Sequence, residues 1–151
     1  MRKLLLLALV VGAFVFESNA QTVQYKVVTS VESIVPMGLG RSRIIEEKSP
    51  IDAQAFTTER TDGKKSNQGS VKRKDAKVDL FAETKLLNFY SVAGINFQNI
   101  ASNDALISSK INTLVAEGWE LAFVTSAVES DSGKGDGKGI FITRYIFKKT
   151  M

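Results

Sequence analysis

The sequence predicts an α+β domain in which a small antiparallel sheet has one helix packed on one face. Three observations indicate this class: strand-like alternation in residues 23–35, one apolar stripe at helical spacing after Asn103, and two strand-like segments in residues 119–147. The predicted order is strand, long insertion, helix, strand and strand. A helix that covers one face of the sheet closes such an arrangement.

Residues 1–20 have the features of a cleavable signal peptide. The start is positively charged, residues 4–16 are apolar, and small side chains precede a cleavage site at Ala20. The apolar run is shorter than the roughly 20 residues that span a bilayer as a helix. We therefore predict cleavage after Ala20, a single soluble domain over residues 21–151 without a membrane span, and a bacterial protein that is periplasmic or secreted.

The chain contains no histidine and no cysteine. Histidine is the commonest general base and metal ligand, and structural zinc sites are built from these two residue types. The lack of cysteine also excludes disulfides and a lipid-bearing cysteine at the cleavage site. Without residues 1–20, the chain has 18 basic and 15 acidic side chains, so its net positive charge is small. This composition predicts a protein that is not an enzyme and has no cofactor.

The first half of the domain is predicted to contain two strands and a long connection. Residues 23–35 alternate with the period of a half-buried strand, with one side formed by Val23, Tyr25, Val27, Thr29, Val31 and Val35, and the other by Gln24, Lys26, Ser30 and Glu32. Residues 42–46 can return as a shorter strand. The polar insertion at about residues 48–78 is predicted to be an exposed connection with a short strand near residues 55–58.

The second half is predicted to contain the helix and two strands. Residues 79–93 fit either a helix capped by Asp79 or a strand in their second part, and we favour the helix. A clear helix is predicted from an N-cap at Asn103 to a C′ glycine at Gly118. Strands are predicted at residues 119–128 and 140–147, joined by a glycine-rich hairpin loop at residues 129–139.

Three segments resemble the small bacterial domain of unknown function DUF4177. They are Tyr25-Lys26-Val27-Val28 at the start, residues 110–121 with Glu117-Gly118-Trp119-Glu120-Leu121 after the helix, and Tyr145-Ile146-Phe147-Lys148-Lys149 at the end. The resemblance covers the first strand and residues 103–149, with about 70 residues inserted between them. It implies a β–α–β–β layout and no particular activity. Trp119 is expected to be a core anchor.

Two sets of basic residues are candidate contacts for an anionic ligand or a partner. Arg41 and Arg43 lie in and after a predicted turn, and the insertion carries Lys64, Lys65, Lys72, Arg73 and Lys74. The competing interpretation is that both sets are solvated. The insertion has no interleaved aromatic residues of the kind that nucleic-acid binding favours.

Other motifs carry weaker signals. The glycine-rich loop at residues 133–139 lacks P-loop spacing, and Glu129, Asp131 and Asp136 lack EF-hand spacing. The sequence therefore predicts an exported non-catalytic binding or accessory domain that contacts an envelope protein or an anionic glycan, and no nucleic acid. The alternatives are a structural homo-oligomer formed through an edge strand, and a glycan hydrolase that depends on carboxylates among Glu46, Glu47, Glu129 and Asp131.

Overall fold

The computed structural model of the protein describes residues 22–33, 42–60, 62–91, 93–128 and 139–151. Its strands are β1 (Val23–Ser33), β2 (Arg43–Glu47), β3 (Phe81–Lys85), β4 (Tyr90–Ser91), β5 (Gly94–Ile95), β6 (Glu120–Val128) and β7 (Ile140–Thr150). The helix α1 (Phe97–Ala116) lies between β5 and β6. The predicted α+β class is confirmed. Within the described residues, no helix is long and apolar enough to cross a membrane.

The main sheet has five antiparallel strands in the order β3-β2-β1-β7-β6. β1 and β7 form its centre and pair from Val23 opposite Thr150 to Ser33 opposite Ile140. The predicted strands at the start and end of the domain are therefore confirmed within the described residues. β2 and β3, which flank the polar insertion, extend the sheet on the other side of β1 from β7.

The core lies between α1 and one face of the sheet. Its buried side chains are Val28, Ile44, Leu86, Leu114, Trp119 and Phe147, and Ile107, Ile111 and Tyr145 pack against them. Phe147 of β7 is completely buried. This cluster confirms that Trp119 is a core residue. Burial of these apolar side chains is the main contribution to the stability of a domain that has no disulfide.

The face of β1 that packs under α1 is the one that looks polar in the sequence. Val28 is buried on this face together with Ser30, and Lys26 lies there as well. Tyr25 and Val27 lie on the opposite face, hereafter the outer face, and are exposed. The prediction of a strand was right, but the alternation of apolar residues suggests that the wrong side is buried. Lys26 can lie on the buried side because a buried carboxylate from another strand neutralises it, and the sequence around Lys26 does not show that carboxylate.

The end of α1 follows the sequence prediction closely. Gly118 adopts a positive φ of 88°, and its N–H donates to the carbonyl of Val115 at 2.9 Å. The N–H of Trp119 donates to the carbonyl of Leu114 at 3.0 Å, which completes a Schellman motif. The turn directs Trp119 back onto Leu114 in the core, so the glycine ends the helix and also places the tryptophan.

The start of α1 differs from the prediction. The helix begins at Phe97, and Asn96 is its N-cap, with a side chain that accepts from the N–H of Asn99 at 3.1 Å. Asn103 lies in the second turn and is completely buried. Its amide bonds both the N–H and the carbonyl of Leu87, at 2.8 and 2.7 Å. Asn103 therefore joins the helix to the segment after β3 instead of capping the helix.

Replacement of Asn103 by alanine is expected to lower the free energy of unfolding by about 2–3 kcal/mol, because it leaves two backbone groups of Leu87 without their partner. Urea unfolding measures this loss. The matched control is Asn112→Ala at an exposed position of the same helix, which we expect to be neutral or slightly stabilising. Equal effects of the two changes would contradict the role given to Asn103.

Two further predictions for the chain between β2 and α1 are wrong. The helix favoured for residues 79–93 is replaced by β3, which pairs with β2 from Arg43 opposite Lys85 to Glu47 opposite Phe81, and by the short β4. The backbone bonds of this pairing come from a distant segment, so local periodicity does not reveal them. The short strand expected near residues 55–58 is a 3₁₀ turn at Ala53–Phe56, which the Asp52 side chain caps.

Candidate functional site

Three lysines converge on one buried carboxylate between the sheet and α1. Glu46 of β2 faces the helix, and its side chain is only 3% exposed. Lys26 of β1 reaches its Oε1 with Nζ at 3.1 Å, and Lys48 reaches the same oxygen at 2.7 Å. Lys110 of α1 binds the other oxygen, Oε2. We call these four residues the lysine cluster.

The lysine cluster keeps Glu46 ionised. Burial of the carboxyl raises its pKa, but hydrogen bonds from Lys110, Lys48 and Lys26 outweigh this effect and lower the pKa from 4.5 to about 2. At neutral pH the carboxylate therefore carries a full negative charge. It acts as an anchor that holds three ammonium groups from different parts of the fold close together.

The cluster has more positive charge and more donors than Glu46 uses. Three ammonium groups against one carboxylate leave two positive charges in excess. Each ammonium carries three N–H donors, and each gives one contact to Glu46, so further donors remain for water or another acceptor. All three lysine side chains are partly exposed. An anionic group can therefore approach them from solvent.

Trp119 extends this positive region. The Nζ of Lys26 lies 5.0 Å from the centroid of the indole ring, and the Nζ of Lys149 lies 5.9 Å from it. Both distances are within the range of cation–π attraction. Lys149 also donates to the carbonyl of Glu117 at 2.8 Å, at the negative end of α1. Trp119 is the single tryptophan of the chain, so its fluorescence reports on this site.

The structure places the predicted basic residues elsewhere. Arg43 pairs with Glu83 across β2 and β3 on the outer face. Lys64, Lys65, Lys72, Arg73 and Lys74 are all exposed in the connection between β2 and β3, residues 48–80. The backbone N–H groups of Lys65 and Lys64 donate to Asp62 and lower its pKa. Arg41 lies outside the described residues.

The acidic residues named in the sequence are also separated. Glu46 is buried, whereas Glu47 is exposed on the opposite side of β2, as strand alternation predicts. Glu129, Asp131, Asp136 and the glycine-rich loop before Gly139 lie outside the described residues. In the part of the chain that the structure describes, no group of three acidic side chains is arranged to hold a metal ion.

Sequence reasoning missed Lys26, Lys48, Lys110 and Lys149 as site residues. Lys26 is 20 residues from Glu46 and Lys110 is 64 residues from it, so no spacing rule links them. The one usable signal is on the polar side of the first strand, where Val28 lies between Lys26 and Ser30. Polarity alone would place that side in solvent, but it is the side that contains the cluster.

Comparisons of the chain with protein-family models, with curated proteins and with solved structures gave no match. The resemblance to DUF4177 therefore stays a prediction.

Proposed function

We propose that this protein is a non-catalytic binding domain that holds an anionic group of its ligand at the lysine cluster. The observation that carries the proposal is the convergence of Lys26, Lys48 and Lys110 on the buried Glu46, which leaves two positive charges in excess at a solvent-accessible position. Like charges held close together repel, and a bound oxyanion relieves that repulsion while it accepts the remaining donors.

The ligand class follows from the donors. Ammonium groups bind carboxylate, phosphate and sulfate oxygens as point charges. With the signal peptide that we predict for residues 1–20, the protein would act in the periplasm or outside the cell, where anionic glycans and envelope proteins carry such groups. The exposed lysines and Arg73 of the connection would then add long-range attraction to the same ligand.

The geometry gives less support to the alternative of a glycan hydrolase. A general acid must hold a proton near neutral pH, and the pKa of about 2 keeps Glu46 deprotonated. Its two oxygens already bind Lys26, Lys48 and Lys110, so they are not free to attack a sugar. Glu47 projects to the other side of the strand and does not form a pair with it.

Fluorescence titration of Trp119 tests the proposal. The chain without residues 1–20 is titrated with inorganic phosphate, and separately with acetate, at constant ionic strength maintained with chloride. We expect a saturable change with phosphate, and an affinity at least tenfold lower for Lys110→Met, since a charge-assisted bond contributes about 1.5–3 kcal/mol. Lys65→Met in the connection is the matched control and is expected to lose far less affinity than Lys110→Met, because Lys65 contributes only long-range attraction.

Circular dichroism establishes that Lys110→Met is folded before its affinity is compared. A titration without saturation in the wild type contradicts the proposal. Equal loss of affinity in the two variants contradicts it as well, because it would assign the binding to net charge instead of to the lysine cluster.

A further inference from the structure

The sheet ends in an edge strand, β6, and none of the other segments that the structure describes pairs with its free side. β6 is the last strand in the sheet order, and all nine of its residues are exposed. Phe123 is 60% exposed, and Val124 and Val128 are exposed as well. Among the described residues, the buried core beneath α1 is built on β1, β2 and β7 and includes no side chain of β6. An edge of this kind presents unpaired backbone groups together with apolar side chains.

The two edges of the sheet differ in how they are protected. β3 is short and carries Glu83 and Lys85, and Glu83 pairs with Arg43 of the neighbouring strand. Charged residues on a short strand are the usual protection against edge-to-edge association. In β6 the first residue, Glu120, is charged and pairs with Lys148 at 3.2 Å, whereas residues 121–128 carry no charge.

We infer that β6 pairs antiparallel with β6 of a second copy of this chain. The two-fold axis of such a pair is perpendicular to the sheet, so the outer faces of both copies continue into one another. Because residues 121–128 are uncharged, no antiparallel register within this segment brings like charges together. The apolar and hydroxyl side chains of the segment, from Phe123 to Ser126, are of types that pair well across strands.

A pair of this kind forms a closed dimer. A β6 strand added to β3 of another copy would leave free edges and continue into a filament, and the charges on β3 oppose that contact. Pairing through β6 uses the unprotected edge of each copy and leaves the protected β3 edges at the two ends. The resulting ten-stranded sheet exposes both lysine clusters, so this inference does not depend on the proposed function.

Thr125 is the position at which this inference is tested. It lies in the middle of the regular part of β6, after the bulge between Leu121 and Phe123. When two copies of β6 pair antiparallel over most of their length, Thr125 of one copy lies either directly opposite Thr125 of the other copy or diagonally opposite it. Thr125→Lys therefore places two like charges close together at the centre of the pair, beside Arg144 of β7 in each copy, whereas a mixture with Thr125→Glu places opposite charges there.

Light scattering after size-exclusion chromatography, at micromolar concentrations, measures the result. We expect twice the monomer mass for the wild type, the monomer mass for Thr125→Lys alone, and the dimer mass again for its equimolar mixture with Thr125→Glu. Leu80→Lys, an exposed apolar position beside β3 at the other end of the sheet, is the matched control and is expected to stay dimeric. A monomeric wild type, or a dimer that Thr125→Lys leaves intact, overturns the inference.

Discussion

Replacement of Phe147 by alanine is expected to lower the free energy of unfolding by about 3–5 kcal/mol. The ring is 0% exposed, and it packs in the cluster that includes Val28, Ile44 and Leu114. The cavity would lie at the centre of the sheet, where β7 is paired on both sides and the backbone has little freedom to close it. Urea denaturation followed by circular dichroism measures the change.

Phe97→Ala is the matched control for this change. Phe97 is the first residue of α1 and is 77% exposed, so the same atoms are removed without leaving a cavity. We expect an effect within about 0.5 kcal/mol. A loss from Phe147→Ala no larger than that of the control would show that the core is not centred on β7.

The second large effect is expected for Glu46→Gln. At neutral pH the glutamine removes the negative charge that Lys26, Lys48 and Lys110 share, and these three ammonium groups then repel one another without compensation. Removal of one partner from a buried charge network is strongly destabilising. We expect a loss of about 3 kcal/mol, which agrees with the free energy that corresponds to a pKa of about 2 against an ordinary 4.5.

The dependence of this loss on pH identifies its cause. The pKa of Glu46 is lower in the folded protein than in the unfolded chain, so between pH 4.5 and about 2 the unfolded chain binds more protons. The stabilisation is therefore complete above pH 4.5 and is lost as the pH falls towards 2. Unfolding free energies of the wild type and of Glu46→Gln should differ by about 3 kcal/mol at pH 7 and converge near pH 2.

Glu47→Gln is the control, because it makes the same chemical change one residue along the strand at an exposed position. Its effect is expected to be below about 0.5 kcal/mol. A difference between wild type and Glu46→Gln that does not depend on pH would mean that packing, and not charge, is responsible for the loss.

Features with a local cause could be predicted from the sequence. Gly118 ends α1 because a positive φ is needed there, and the strands on both sides of residues 129–138 follow from alternation and turn composition. These elements, together with β1, define the α+β class. Each of them depends on residues within a few positions of one another.

Features that depend on distant partners could not be predicted in this way. β3 forms because β2 offers it a ladder of hydrogen bonds, although the same residues also fit a helical pattern. Asn103 and Asn96 are both good caps in isolation, and the position of Leu87 decides which of them is buried. The lysine cluster is the strongest example, since its members come from β1, β2, the first residue of the connection after β2, and α1, and only the fold brings them together.

The most direct test of the central claim is to map the amide chemical shifts of the ¹⁵N-labelled chain, without residues 1–20, during titration with inorganic phosphate at constant ionic strength. Binding at the lysine cluster predicts saturable shifts centred on Lys26, Lys48, Lys110 and Trp119, with little change at residues 62–74. In Lys110→Met the shifts near Lys26 and Lys48 should need at least about tenfold more phosphate. Shifts confined to residues 62–74 would contradict an anion site at Glu46. Shifts that increase linearly with phosphate concentration and are spread over the whole protein surface would contradict it as well.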